Sequence, residues 1–243
     1  MGAAFGWGLI SASSLVIGSL VAIWMHLSLR VIGLIMAFGA GVLISAVAFD
    51  LVEEAADKSS GDGAVAVGLF IGCGVFFGGD LLISRLGGGD RKDATGDQQG
   101  DSPLAIVLGT VLDGIPESMV IGLTIVEGGA VGAAYLAAVF ISNLPEAISS
   151  TTGLLSAGWQ KSRVLWMWIG IALVSGLASL AGYGLFQDSS PATVAFVLAF
   201  AAGAILTMLA DTMMPEAFEH GGKLVGVVTT LGFAVAFGIH SLG

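Results

Sequence analysis

Eight long apolar stretches occupy most of this chain and limit the folds that it can adopt. A helix needs about 20 mostly apolar residues to cross the hydrocarbon core of a membrane, and each stretch reaches that length. Only 11% of the residues are charged, whereas soluble domains carry roughly a quarter. We therefore predict an all-α, polytopic membrane protein with one transmembrane domain over residues 1–243. The predicted spans cover residues 3–27, 30–52, 64–86, 103–127, 129–155, 162–186, 192–216 and 222–242.

The Lys and Arg residues predict the orientation, because cytoplasmic loops carry an excess of both. With the amino terminus outside, only Lys58 falls on the outer side and seven basic residues fall on the inner side. Eight spans then return the carboxyl terminus to the outside, so we expect both termini outside a cell membrane. The seven inner residues are Arg30, Arg85, Arg91, Lys92, Lys161, Arg163 and Lys223.

One connection is longer than the rest. Residues 87–102 read GGGDRKDATGDQQGDS, a composition typical of a solvated loop without fixed structure. We predict a mobile cytoplasmic loop. The alternative is a weak cation-collecting loop, formed by Asp90, Asp93, Asp97 and Asp101.

The second and seventh predicted spans share a sequence pattern. The residues AFGAG at 37–41 recur as AFAAG at 199–203, which is 162 residues later, and Glu54 recurs as Glu216 at the same offset. The two spans run in opposite directions in the predicted topology. The pattern therefore favours an inverted repeat, which in transporters builds alternating access around a site near the midplane.

Two motifs that combine a proline with carboxylates lie deep inside the fourth and fifth predicted spans. They are DGIPE at residues 113–117 and SNLPE at residues 142–146. A charged side chain at this depth costs several kcal/mol and usually has a function. Proline removes a backbone hydrogen bond and frees carbonyls in the preceding turn. These two signals indicate a polar site for a cation within the membrane.

Helical spacing brings the polar side chains of each motif onto one face. Asp113 and Glu117 are separated by four residues, and Asn143 and Glu146 by three. Two adjacent antiparallel helices can therefore bring together three carboxylates, one amide and a few hydroxyls, those of Ser142, Ser149 and Ser150. Such a cluster is costly in a low dielectric, and neither span contains a Lys or Arg to neutralise it. We predict a divalent metal ion as the bound cation and as the transported substrate, with no separate cofactor. The alternatives are protonated acids that link the helices by hydrogen bonds, or a proton relay without metal.

These features together resemble the ZIP (Zrt/Irt-like) family of metal transporters. The resemblance covers nearly the whole chain, and it is carried by the AF-x-x-G openings, both Pro-Glu pairs and MPEA at residues 214–217. It implies eight spans in a 3+2+3 inverted arrangement, both termini outside, a metal site between spans four and five, and a possible homodimer.

The chain departs from the family at several ligand positions. The family usually has His where Asp113 stands and a ligand such as Asn where Gly114 stands. In the fifth span, Ser142 replaces His or Gln, and Asn143 replaces an acid. The sixth span, which often supplies a bridging acid, has none between residues 164 and 186. We therefore expect one metal rather than two.

The expected ligands of that metal are all oxygen donors. Asp113, Glu117 and Glu146 would hold it, with Asn143 or Ser142 assisting. Oxygen ligands suit manganese and magnesium, and they bind zinc less tightly than imidazole or thiolate does. We rank zinc slightly above manganese and ferrous iron.

Acids near the ends of the second and seventh spans are candidates for the metal's path. Asp50 and Glu54 could concentrate cations at an outer mouth, while Asp211, Glu216 and His220 could line an inner exit; solvated helix ends are the alternative for both groups. Asp80 is expected to pair with Arg85 or to snorkel.

Other function classes are less favoured by the sequence. The net charge of −10 excludes a nucleic-acid partner. No Ser/His/Asp arrangement, HExxH motif or phosphate-binding loop can be assembled, so an enzyme is not expected. Two rival functions remain open: a transporter of protons or another non-metal substrate on the same scaffold, and a membrane protein that senses metal without transporting it.

Overall fold

All regular secondary structure is helical in the part of the chain that the computed structural model describes, namely residues 2–59, 61, 63–96, 103–128 and 132–242. This confirms the all-α prediction for those residues. The helices are α1 (Gly2–Trp24), α2 (Leu29–Ala46), α3 (Glu54–Lys58), α4 (Ala64–Ile83), α5 (Pro103–Gly128), α6 (Ala133–Ser156), α7 (Lys161–Phe186), α8 (Pro191–Met208), α9 (Met214–Gly221) and α10 (Val225–Leu242).

Six helical stretches are long and apolar enough to cross a membrane, as a membrane-embedded protein requires. One of them, Pro191–Leu242, has 52 residues, more than one crossing needs, and contains α8, α9 and α10. The six stretches are Gly2–Trp24, Leu29–Lys58, Ala64–Gly88, Leu104–Val126, Lys161–Phe186 and Pro191–Leu242.

Helices α2 and α8 begin in the same way. Ser28 precedes α2 and accepts a hydrogen bond from the Val31 amide (3.4 Å), while Ser190 precedes α8 and accepts one from the Thr193 amide (3.2 Å). Such caps satisfy amides that have no partner within the helix. Both helices have 18 residues, and Leu29 and Pro191 are separated by the 162-residue offset of the sequence pattern.

Both helices also end in a wider, π-helical turn. Val47–Glu53 continues α2 into α3, and Leu209–Met213 continues α8 into α9. The first residues of the two turns are again 162 positions apart. Such turns are rare and occur frequently at functional sites.

Helices α2 and α8 lie at the centre of the packing, with α10 against α2 and α4 against α8. Glycine allows the backbones to approach closely at these contacts. Gly72 of α4 lies against the carbonyl of Phe200, and Gly232 of α10 lies against the carbonyl of Phe38, so a Cβ at either glycine would overlap with that oxygen. Helix α1 packs against α6 and α7, and α5 packs against α7.

The connection after α4 differs from the predicted mobile loop. Its helical part ends with a π-helical turn, Ser84–Gly88, in which Gly87 has a φ of 83° and so redirects the chain. Residues 89–96, which we name the docking segment, then enter the protein: Arg91 is 1% exposed and Lys92 is 5% exposed. The prediction of a solvated loop is therefore wrong for this segment, because its two cations meet buried acids. Asp97 and Asp101 lie outside the described residues.

Candidate functional site

Helices α5 and α6 supply the acids of the predicted site. Asp113 and Glu117 lie on α5 and Glu146 lies on α6, and all three are at most 5% exposed. Pro116 and Pro145 lie inside the same helices, so each helix lacks one backbone donor next to its acids. The sequence-predicted acids are thus buried, as a site within the protein requires.

The docking segment places a cation between two of these acids. The Lys92 Nζ atom lies 3.4 Å from Asp113 Oδ2 and 3.2 Å from Glu146 Oε2. Both contacts are ion pairs. An ammonium from the chain itself therefore bridges α5 and α6 at the position where the sequence predicts a metal ion.

Arg91 holds the segment more rigidly. Its guanidinium donates two hydrogen bonds of 2.9 Å to the two carboxylate oxygens of Asp113, the bidentate arrangement that fixes both partners. Its Nη2 atom is also 2.7 Å from Asp80 Oδ1, and its Nη1 donates to the Gly88 carbonyl (3.3 Å). Asp80 thus contacts Arg91 rather than Arg85, the partner expected from the sequence. On α5, Gly109 leaves space for the Arg91 stem, because a Cβ there would overlap with it.

Both cations are held in their charged form. Burial disfavours the ammonium of Lys92, but Asp113 and Glu146 outweigh it and raise the pKa of that group above its usual value. Burial likewise disfavours the guanidinium of Arg91, and Asp113 and Asp80 raise its pKa. The docking segment therefore brings two positive charges into the acid cluster.

The acids still outnumber the cations. Two cations face Asp80, Asp113, Glu117 and Glu146, which leaves two formal negative charges in excess if all four are ionised. One oxygen of Glu117 and one of Glu146 are buried without a hydrogen-bond partner among the described residues. These two oxygens remain able to accept a further donor or cation.

The hydroxyls and the amide of α6 are buried but play different roles. Ser142 donates to the carbonyl of Val139 in its own helix (3.0 Å), which leaves its oxygen lone pairs for other partners. Asn143 is buried on the same helix. Ser149 donates to the Lys92 carbonyl (2.7 Å) and thereby fastens the docking segment to α6.

A second cluster joins the docking segment to α9. Glu216 Oε1 accepts a hydrogen bond from the Ala94 amide (3.0 Å) and lies 3.2 Å from His220 Nε2. Asp93, Glu216 and His220 each offer one ligand atom, and these atoms lie within 4.8 Å of one another. Two of the predicted exit residues thus meet an aspartate of the loop, whereas Asp211 is exposed in the π-helical turn before α9.

In the described part of the chain, no other three metal-ligating side chains meet that 4.8 Å spacing. Asp113, Glu117 and Glu146 therefore stand too far apart to share one ion in this arrangement. The ammonium of Lys92 lies within 3.4 Å of both Asp113 and Glu146.

The acids predicted for the outer mouth are paired within the chain. Asp50 Oδ1 is 2.7 Å from His240 Nδ1 on α10, and Glu54 Oε1 is 3.0 Å from Lys58 Nζ. Tyr135 on α6 is buried and interacts electrostatically with both Asp50 and Glu117.

Sequence reasoning missed Arg91 and Lys92 as members of this site. A usable signal was present, because three buried acids need compensating charge and the only adjacent Arg-Lys pair is in the loop before α5. Comparison with protein-family models and with curated proteins gives no match to this chain.

Proposed function

We propose that this protein transports divalent metal cations across a cell membrane, with Asp113, Glu117 and Glu146 as the main ligands. The observation that carries the proposal is the convergence of acids from α5 and α6 on a buried cation, the Lys92 ammonium. A cluster that holds one cation by ion pairs has the charge and the oxygen donors to hold another. Zinc ranks slightly above manganese and ferrous iron.

The transport architecture in this proposal has eight spans in an inverted 3+2+3 repeat, as the resemblance to ZIP transporters implies. The matching lengths, serine caps and π-helical turns of α2 and α8 support it. The close contacts support it as well, because Gly41 of α2 meets α10 and Gly203 of α8 meets α4 at the same 162-residue offset. Both termini lie outside in this arrangement, and a homodimer is part of the proposal.

The metal's path is inferred from the positions of the acids. A cation would be attracted by Asp50 and Glu54, lose water at Asp113, Glu117 and Glu146, and leave past Glu216, His220 and Asp93. One group of helices would move against the other to expose the site to each side in turn. Because the docking segment lies between the acid cluster and the Glu216 cluster, release to the cytoplasm requires the segment to withdraw.

The test is uptake into proteoliposomes of a panel containing Zn²⁺, Mn²⁺ and Fe²⁺. Glu117→Gln and Glu146→Gln keep the side-chain shape and remove one ligand charge each, so each should lower uptake to background. Asp188→Asn, at an exposed position between α7 and α8, should leave uptake unchanged. Full flux in either glutamate variant would move the site elsewhere in the protein.

A second function is favoured by one observation. The ion in the acid cluster is a primary ammonium, so a small organic cation carrying such a group is a candidate substrate. Uptake of a radiolabelled alkylammonium into the same vesicles distinguishes an organic amine from a metal ion as the substrate. Uptake of the amine that ignores added Mn²⁺ or Zn²⁺ would replace the metal by the amine as cargo.

A further inference from the structure

We propose that Lys92 is a tethered counter-cation: its ammonium occupies the cargo site when no metal is bound, and metal and Lys92 occupy the acid cluster alternately. This inference rests on the proposed transport function and adds to it the state of the empty site. It assigns a role in substrate binding to a loop residue outside α5 and α6.

The two cations of the docking segment differ in how they are held. Arg91 makes two directed hydrogen bonds to Asp113 and also contacts Asp80 and the Gly88 carbonyl. Lys92 makes ion pairs of 3.2 and 3.4 Å, which are longer than the 2.9 Å hydrogen bonds of Arg91. Arg91 is therefore an anchor, whereas the Lys92 ammonium is a point charge that another cation can replace.

The acids around Lys92 show what its removal would do. With the ammonium in place, one oxygen of Glu117 and one of Glu146 have no hydrogen-bond partner among the described residues, and the three acids are too far apart to share an ion. Withdrawal of Lys92 frees a second oxygen of Glu146 and leaves Asp113 Oδ2 with its hydrogen bond from Arg91 Nε. Two oxygens of Glu146 and one of Glu117 are then available to a metal ion, and the helices would have to move closer together for the acids to share it.

The charge of the acid cluster explains why the site needs another cation when no metal ion is bound. If Asp80, Asp113, Glu117 and Glu146 are ionised and Arg91 stays in place, an empty site without Lys92 carries three excess negative charges. Lys92 reduces the excess to two, and a divalent metal reduces it to one. Uncompensated charge is costly at this depth, so a tethered cation lets the unloaded site persist and change its exposure without a metal.

The main chain of the docking segment forms few hydrogen bonds with the neighbouring helices around Lys92. Two hydrogen bonds attach the main chain of the segment around Lys92 to neighbouring helices, one from Ser149 to the Lys92 carbonyl (2.7 Å) and one from the Ala94 amide to Glu216 (3.0 Å). Gly87, with its φ of 83°, provides a turn at the junction with α4. The Lys92 ammonium can therefore leave when its ion pairs and these two hydrogen bonds break, while Arg91 keeps its hydrogen bonds to Asp113.

The experiment compares the affinity for Mn²⁺ of the purified full-length wild-type protein with that of three single variants. Binding is measured by calorimetry or by the loss of the free Mn²⁺ electron-spin signal. Lys92→Gln removes the competing charge and should raise the affinity about tenfold or more, because the apparent affinity is reduced by the fraction of molecules whose site is blocked. Ser149→Ala leaves every acid in place and weakens docking by one hydrogen bond, so it should raise the affinity by about fivefold. Lys223→Gln removes an exposed lysine between α9 and α10 and should have no effect.

A second measurement tracks the segment itself. In a Cys73→Ala background, a cysteine introduced by Ala94→Cys is buried while the segment is docked, since Ala94 is buried. Mn²⁺ should accelerate its modification by a water-soluble maleimide, and it should fail to do so when Glu117→Gln is added. Equal Mn²⁺ affinity in wild type, Lys92→Gln and Ser149→Ala, with labelling insensitive to metal, would make Lys92 a static ion pair and overturn the inference. Absence of divalent-ion binding in all of these proteins would instead overturn the proposed transport function, and the inference with it.

Discussion

The pair formed by Arg91 and Asp113 determines how firmly the docking segment is held, and a double-mutant cycle can measure it. Both side chains are buried and joined by two charge-assisted hydrogen bonds of 2.9 Å. Removing one partner of such a pair costs about 3–5 kcal/mol, because the other charge stays buried without compensation. We expect the cost of Asp113→Leu to lie near the lower end of this range, because Arg91 still contacts Asp80 at 2.7 Å. Arg91→Met should lie near the upper end, because the nearest remaining cation to Asp113 in the described residues is Lys92 at 3.4 Å.

The double variant leaves neither buried charge of the pair behind. Its destabilisation should therefore fall below the sum of the single values by about 2–3 kcal/mol, which is the coupling energy. The free energy of unfolding is measured in mixed micelles by titration with a denaturing detergent, with Trp fluorescence as the signal. The more accessible pair Glu54 and Lys58, with side chains 48% and 25% exposed, is the control, and Glu54→Leu with Lys58→Met should give a coupling below about 0.5 kcal/mol. A buried-pair coupling no larger than that of the control would refute the reasoning.

Two further predictions concern packing and a buried hydrogen bond. Gly72→Ala should lower the free energy of unfolding by about 1–3 kcal/mol, because its Cβ would overlap with the Phe200 carbonyl, whereas Gly74→Ala on the same helix meets nothing within 4 Å and should be neutral or slightly stabilising. Thermal unfolding in detergent compares the two, and equal stability would show that α4 and α8 separate easily. Trp168→Phe removes the indole donor to Thr151 Oγ1 (2.8 Å) and should cost about 1–2 kcal/mol by the same measurement. Trp166→Phe, at a side chain 72% exposed, should cost little, and a similar loss in both would argue against the hydrogen bond as the cause.

The helices and the buried acids could be predicted from the sequence because each depends on local spacing. Apolar length predicts a spanning helix, and intervals of three or four residues place Asn143 with Glu146 and Asp113 with Glu117. The caps at Ser28 and Ser190 obey the same local logic, because each serine precedes the helix whose amide it satisfies.

The docking segment could not be predicted in this way. Its composition is that of a solvated loop, and its stabilising partners are distant in sequence: Asp113 lies 22 positions after Arg91, and Glu146 belongs to another helix. The fourth and fifth predicted spans contain no Lys or Arg, but the cations that neutralise their acids come from outside those spans. A buried cluster can receive its counter-charges from any segment that reaches it, so neutralisation has to be considered over the whole fold.

The π-helical turns after α2 and α8 determine the direction in which the side chains of the next helices, α3 and α9, project. Successive residues of an α-helix are rotated by about 100° around its axis, so a turn with one extra residue resets the direction of every side chain beyond it. Glu216 and His220 come after the turn Leu209–Met213, and their direction brings Glu216 to the Ala94 amide. Loss of one residue from that turn would rotate this carboxylate by roughly a quarter of a circle. The hydrogen bond between Glu216 of α9 and the Ala94 amide of the docking segment would then be lost, although the acid cluster on α5 and α6 had not been altered.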